Sequence, residues 1–127
     1  MRKFISLAVV ALLASSMSAQ TIANMKDLNA EKKSAAINLK LTGTLTTTKN
    51  SDFRQLRDLC WQLRNLDLSE ATCPVLPKNA FHSRHHLQHI ILPNQLQEIG
   101  TQAFFACNNL QEVVIPKSVT KVGAAAF

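Results

Sequence analysis

The dipeptide Ala-Phe occurs at Ala80-Phe81, Ala103-Phe104 and Ala126-Phe127, each pair 23 residues after the last. The interval carries much more than that pair. Leu87 aligns with Leu110, Ile90 with Val113, Leu92 with Ile115 and Pro93 with Pro116. Leu96 aligns with Val119, Ile99 with Val122 and Gly100 with Gly123. A period of this length marks a repeat architecture, in which one supersecondary unit buries its apolar side chains only against neighbouring copies of itself. An earlier, more divergent unit fits with one extra residue: Leu63-Arg64-Asn65-Leu66-Asp67-Leu68 corresponds to Leu87-Gln88-His89-Ile90-Ile91-Leu92.

Each unit opens on the pattern L-x-x-L-x-L, whose alternating half sends its second and third apolar residues to one face of a short strand. Pro93 and Pro116 follow and end the ladder where a missing N–H costs least. Ile99-Gly100 and Val122-Gly123 read as an apolar residue turned inward before a turn, and Ala-Phe supplies the filler of the convex side. The predicted architecture is a solenoid of short parallel strands with an irregular or helical convex side. Its units are residues 63–86, 87–109 and an incomplete 110–127.

Upstream, Ile37, Leu39 and Leu41 alternate with Asn38 and Lys40 before Thr42-Gly43, a strand and turn. Asn50 or Ser51 is placed to cap a helix beginning at Asp52, with Phe53, Leu56, Cys60 and Leu63 at helical spacing and Leu59 alongside. Residues 36–62 therefore read as an N-terminal strand–helix cap. Residues 20–35, rich in Lys, Asn, Ser and Ala, read as a loosely ordered polar lead. No polar capping unit follows Phe127, so the C-terminal end is expected to be uncapped and open to self-association.

The stretch LQHIILPNQLQEIGTQAFFACNNLQEVVIPKSVTKVGAAAF, with its L-x-x-I-x-[IL]-P, I-G-x-x-A-F and C-x-x-L elements, resembles the BspA-type leucine-rich repeat. LTGTL, DFRQLRDL and LRNLDLS resemble the opening unit of such proteins in Bacteroides-like bacteria, so the resemblance covers residues 37–127. It implies a leucine-rich-repeat solenoid and an exported surface molecule. Some members are adhesins for host matrix proteins or for neighbouring microbes, so a matrix protein or a microbial surface partner is the implied kind of ligand. The chain departs from the pattern at Arg84, where C-x-x-L would place a cysteine.

The first residues run from Arg2 and Lys3 through the apolar stretch Ile5 to Leu13 into small and polar residues at Ala14 to Gln20, the order of a secretory signal peptide over residues 1–19. The apolar stretch is too short for a comfortable membrane span, and no cysteine stands at its end to mark a lipoprotein. A secreted or cell-surface protein with no membrane span after cleavage is expected. Cleavage would leave 12 Lys and Arg against 8 Asp and Glu, a net charge of +4 rather than +6. These bases are scattered and form no stripe interleaved with aromatics, so nucleic acid is not an expected partner.

Three cysteines in an exported chain raise the question of a disulfide. Cys60 and Cys107 occupy one column, two coils apart, a separation of about 10 Å at about 4.8 Å per step. That exceeds the reach of about 7 Å between bridged Cα atoms, and Cys73 aligns with the inward Leu96 and Val119. All three read as buried apolar residues. The cluster His82, His85, His86 and His89 has Arg84 inside it, and no carboxylate or cysteine adjoins it, so a solvated turn is preferred to a metal site. With no nucleophile elbow, paired acids or glycine-rich phosphate loop, no catalytic residue, enzyme activity or cofactor is expected.

A ligand would meet the residues that point away from the core along the ladder strands. These form one column of Asn65, His89 and Glu112 and a second of Asp67, Ile91 and Val114 on the exposed, concave face. Such a short array offers a few hundred Å² per partner, against roughly 800 Å² in a standard protein interface. The expectation is a non-enzymatic, adhesin-like module for protein or glycan. The alternative is a structural fragment of a longer repeat protein without binding of its own.

Overall fold

The computed structural model describes residues 21–47 and 51–127. The expected signal peptide and Asn50 lie outside the described residues. Two all-parallel sheets run along the molecule. Sheet A contains β1 (Thr21–Asn24), β2 (Asn38–Thr44), β3 (Asn65–Thr72), β5 (His89–Ile91) and β7 (Glu112–Val114), and sheet B contains β4 (Val75–Leu76), β6 (Glu98–Ile99) and β8 (Lys121–Val122). Each coil of the later repeats crosses sheet A, turns, crosses sheet B and returns through the Ala-Phe segment, so the chain is the expected solenoid.

The polar lead is more ordered than its composition suggests. β1 pairs with β2, a 3-10 turn covers Met25–Asp27, and α1 spans Ala30–Ala35 behind an N-cap at Asn29, whose side chain accepts from the Lys32 N–H. Met25, Leu28 and Ala36 are buried, while α1 itself buries nothing. Three inward residues are enough to make this segment another coil. α2 (Asp52–Asp58) follows β2, with Ser51 as its N-cap, so the first two coils carry a short helix where later ones carry a strand of sheet B. Leu59, expected beside the buried helical residues, is 46% exposed. It is the C-cap, where the chain leaves the helix and its 3.6-residue spacing stops.

The core is a set of inward columns. Leu66, Leu68, Ile90, Leu92 and Val113 are buried behind sheet A, and Leu76 and Ile99 behind sheet B. The extra residue of the earlier unit lies between Asp67, which pairs with Ile91, and Val75, which pairs with Glu98. There β3 runs on past the end of β5 and pairs with Thr42–Thr44 across a register shift, so the insertion is absorbed as a bulge. On the convex side Phe53, Phe81, Phe104 and Phe127 form a ladder. Phe53 meets Phe81 edge-on at 5.9 Å, and the next two contacts are stacked at 5.5 and 5.3 Å.

Backbone geometry repeats with the same period. Asn79, Gln102 and Ala125, each just before Ala-Phe, have φ of 58°, 55° and 52°, and Ser83 and Ala106 both have φ of 60°. Each such left-handed residue with a Cβ costs about 1–2 kcal/mol. Coil-to-coil bonds hold these corners: the N–H of Asn79 donates to Thr101, that of Ser83 to Phe105 and that of Gln102 to Ala124. In the last coil Val122 is 52% exposed, whereas its counterpart Ile99 is buried, because no further coil covers it among the described residues.

Candidate ligand-binding face

The outward residues of sheet A line up as their spacing requires. Asn38, Asn65, His89 and Glu112 are successive register partners, and so are Lys40, Asp67, Ile91 and Val114. Inward Leu66, Ile90 and Val113 sit between the two columns on their strands, which leaves both columns on the opposite side of the sheet. Asn38 and Lys40 extend the columns by one strand. They were hidden because 27 residues separate Asn38 from Asn65, against 24 between Asn65 and His89 and 23 between His89 and Glu112.

The six candidate residues differ in what they can offer a ligand. Asn65 is only 5% exposed and donates from Nδ2 to Asn38 Oδ1 at 2.6 Å, so it works as a link between strands. Asp67 is engaged on two sides: its Oδ1 accepts from the Ser69 N–H at 2.8 Å, and its Oδ2 lies 3.9 Å from Lys40 Nζ. Lys40 also reaches Glu70 at 3.1 Å. The four residues on β5 and β7 are the open part. Ile91 and Val114 are partly exposed neighbours, and beside them His89 Nδ1 and Glu112 Oε2 are covered yet lack a hydrogen-bond partner among the described residues. A covered polar atom without a partner costs about 1–3 kcal/mol.

No group of three or more His, Cys, Asp or Glu side chains is placed to hold a metal ion among the described residues. The histidine cluster is spread around the coil. His82 stacks on Phe105 with ring centroids 5.3 Å apart, His85 and His86 occupy a turn, and His89 stands on sheet A.

The profile of the BspA type leucine rich repeat region matches residues 20–127 in six copies. The chain belongs to this family. The match begins at residue 20, upstream of where the 23-residue interval is visible, in agreement with the ordered coil formed by β1 and α1. Comparison with curated proteins found no match.

Within the BspA-type pattern, the C-x-x-L column explains its own exception. Cys107 Sγ donates to the Phe81 carbonyl of the preceding coil at 3.0 Å. Arg84, in the same column, donates from Nη1 to the equivalent carbonyl, that of Arg57, at 2.5 Å. The guanidinium thus replaces a thiol as the donor that ties one coil to the next, and here it also satisfies a carbonyl in the last turn of α2. All three cysteines are free thiols, with Cys60 and Cys73 buried and Cys107 half-buried. Burial pushes the Cys60 thiol up to about 11, a little offset by Lys33, and raises Cys73 and Cys107 as well. None is poised as a nucleophile.

Proposed function

We propose that this chain is an exported, non-enzymatic binding module of the surface-adhesin kind the family resemblance implies for Bacteroides-like bacteria. It would recognise a protein or glycan through the outward face of sheet A. Leucine-rich repeats serve widely as protein-binding scaffolds, and the match to such repeats runs through residue 127. The observation that carries the reading is the juxtaposition on β5 and β7: a partly exposed apolar pair, Ile91 and Val114, beside the partly exposed polar side chains of His89 and Glu112. An apolar strip flanked by polar side chains has the composition of a recognition surface. Export rests on the signal-like residues 1–19. No helix among the described residues is long and apolar enough to cross a membrane.

A second reading treats these coils as a structural piece of a larger repeat array with no binding of their own. It is favoured by the six tandem copies of the family repeat, a unit that buries its apolar side chains by stacking on copies of itself. One experiment separates the two. Residues 20–127 are tested for adhesion to immobilised extracellular-matrix proteins, beside an Ile91→Asp plus Val114→Asp variant. The proposal expects measurable binding that falls at least tenfold in the variant. Binding that is equal in both removes this face from consideration, and no binding by either favours the second reading.

A further inference from the structure

Three turns on the approach to sheet A are copies of one another. The Leu63 N–H donates to Cys60, that of Leu87 to Arg84 and that of Leu110 to Cys107, each closing a turn over two residues. The turn tips are Trp61-Gln62, His85-His86 and Asn108-Asn109. They stack as a ridge: Gln62 Nε2 donates to the Ser34 carbonyl of the preceding coil, and Asn109 Nδ2 to the His85 carbonyl. Neighbouring coils repeat at about 4.8 Å, which brings Trp61 and His85 into adjacent places.

This ridge has an unusual surface. Trp61 is 52% exposed; Leu59, two residues before it, and Ile37, whose carbonyl accepts the Arg64 N–H, are exposed as well. Its charge is one-sided. No carboxylate occurs between Asp58 and Asp67, nor anywhere in residues 71–97, a stretch that carries Lys78, Arg84 and all four histidines. Asp58, three residues before Trp61, is already held by Arg57 through bonds of 2.8 and 3.2 Å. Arg64 is exposed and forms no ion pair among the described residues.

We propose that the turn ridge of Trp61, His85 and His86, with Arg64 at its flank, is a second contact surface that takes an acidic, aromatic-bearing protein segment. Tryptophan and arginine are the residues most enriched where interfaces concentrate their energy. The partner's carboxylates complement a surface that has cations and imidazoles and no acid of its own. Its apolar side chains cover Trp61, Leu59 and Ile37, which a sulfated glycan would leave wet. That apolar component favours protein over polyanionic sugar.

The test uses residues 20–127 and a random glutamate–tyrosine copolymer, with polyglutamate and heparin as comparison probes, in a titration at low and at moderate salt. Two variants are compared with wild type: Trp61→Ala, and His85→Asn plus His86→Asn, which copies the Asn108-Asn109 turn the protein already makes. The copolymer should bind more tightly than polyglutamate, weaken as salt rises and lose at least tenfold in affinity in both variants, with thermal unfolding unchanged. Absent copolymer binding, or binding that neither variant alters, overturns the proposal. Heparin binding tighter than the copolymer's and lost in the same variants also overturns it, by assigning the ridge to a glycan.

Discussion

Replacing Phe81 by alanine should remove about 3–5 kcal/mol of stability, a large part of the roughly 5–15 kcal/mol that holds a domain of this size together. The ring is fully buried and touches aromatic neighbours on both sides, Phe53 edge-on at 5.9 Å and Phe104 stacked at 5.5 Å. Its loss opens a cavity between two coils, and a repeat protein has only such nearest-neighbour contacts with which to hold its coils in line. Thermal unfolding of residues 20–127 should fall by about 15 °C or more. Phe127→Ala is the internal comparison. That ring is 40% exposed and has a single stacked partner, Phe104 at 5.3 Å, so about 1 kcal/mol is expected. Similar losses in the two variants would mean that the ladder is decoration on the fold rather than its support.

Gly100→Ala should cost about 3 kcal/mol, for a reason unrelated to backbone freedom. The φ of Gly100 is not in the left-handed region. A Cβ there would lie 2.7 Å from Leu76 O, Lys78 N and the Pro77 carbonyl carbon, all backbone atoms of the preceding coil, where ordinary contact begins at 3.4 Å. No side chain can swing aside. The coils would have to part by several tenths of an ångström, just where the Gly100 N–H donates to the Leu76 carbonyl at 2.8 Å. Gly123 repeats the arrangement one coil later, against the backbone of Gly100 and Thr101. Were Gly100 merely a flexible turn residue, alanine would stabilise the fold by about 0.4–1 kcal/mol through the unfolded chain. The sign of the change in chemical denaturation therefore decides between the two.

How far the fold can be read from the chain follows from how constant the coil length is. From Leu63 to Phe127 the coils differ by at most one residue, so strands, inward columns and the Ala-Phe ladder all appear as spacing. Before that, α2 lengthens the coil, and the 27-residue step from Asn38 to Asn65 hides that the strand around Leu39 joins sheet A and that Lys40 belongs to a column. The lead segment was masked differently. α1 buries no residue, and the coil around it is anchored by little more than Met25, Leu28 and Ala36, too few to outweigh a polar composition. Phe53 joins the ladder from a helix, 28 residues before Phe81, and so falls outside the repeat.

The candidate ligand-binding face shows the same division. Alternation along a strand tells which side a residue faces, and the register confirms that Asn65, His89 and Glu112 share a column, as do Asp67, Ile91 and Val114. It says nothing of what a neighbour does to that residue. Asn65 is covered through its contact with Asn38, and Asp67 is held by Lys40, because amides bond one another and opposite charges pair across adjacent parallel strands. The turn ridge was visible only as a histidine-rich stretch. Its relation to Trp61 depends on recognising Cys60–Leu63 and Arg84–Leu87 as the same turn.

Everything proposed for either surface depends on successive coils stacking in the stated register, and cysteine cross-linking across sheet A measures that directly. Ile91→Cys plus Val114→Cys places two thiols on register partners about 4.8 Å apart, inside the range a disulfide spans. Asp67→Cys plus Val114→Cys places them two coils apart, about 10 Å, outside it. Under mild oxidation, with peptide mapping to exclude Cys60, Cys73 and Cys107, the first variant should form an intramolecular bridge and the second should not. A bridge in the second variant, or none in the first, would contradict the register and the two surfaces built on it.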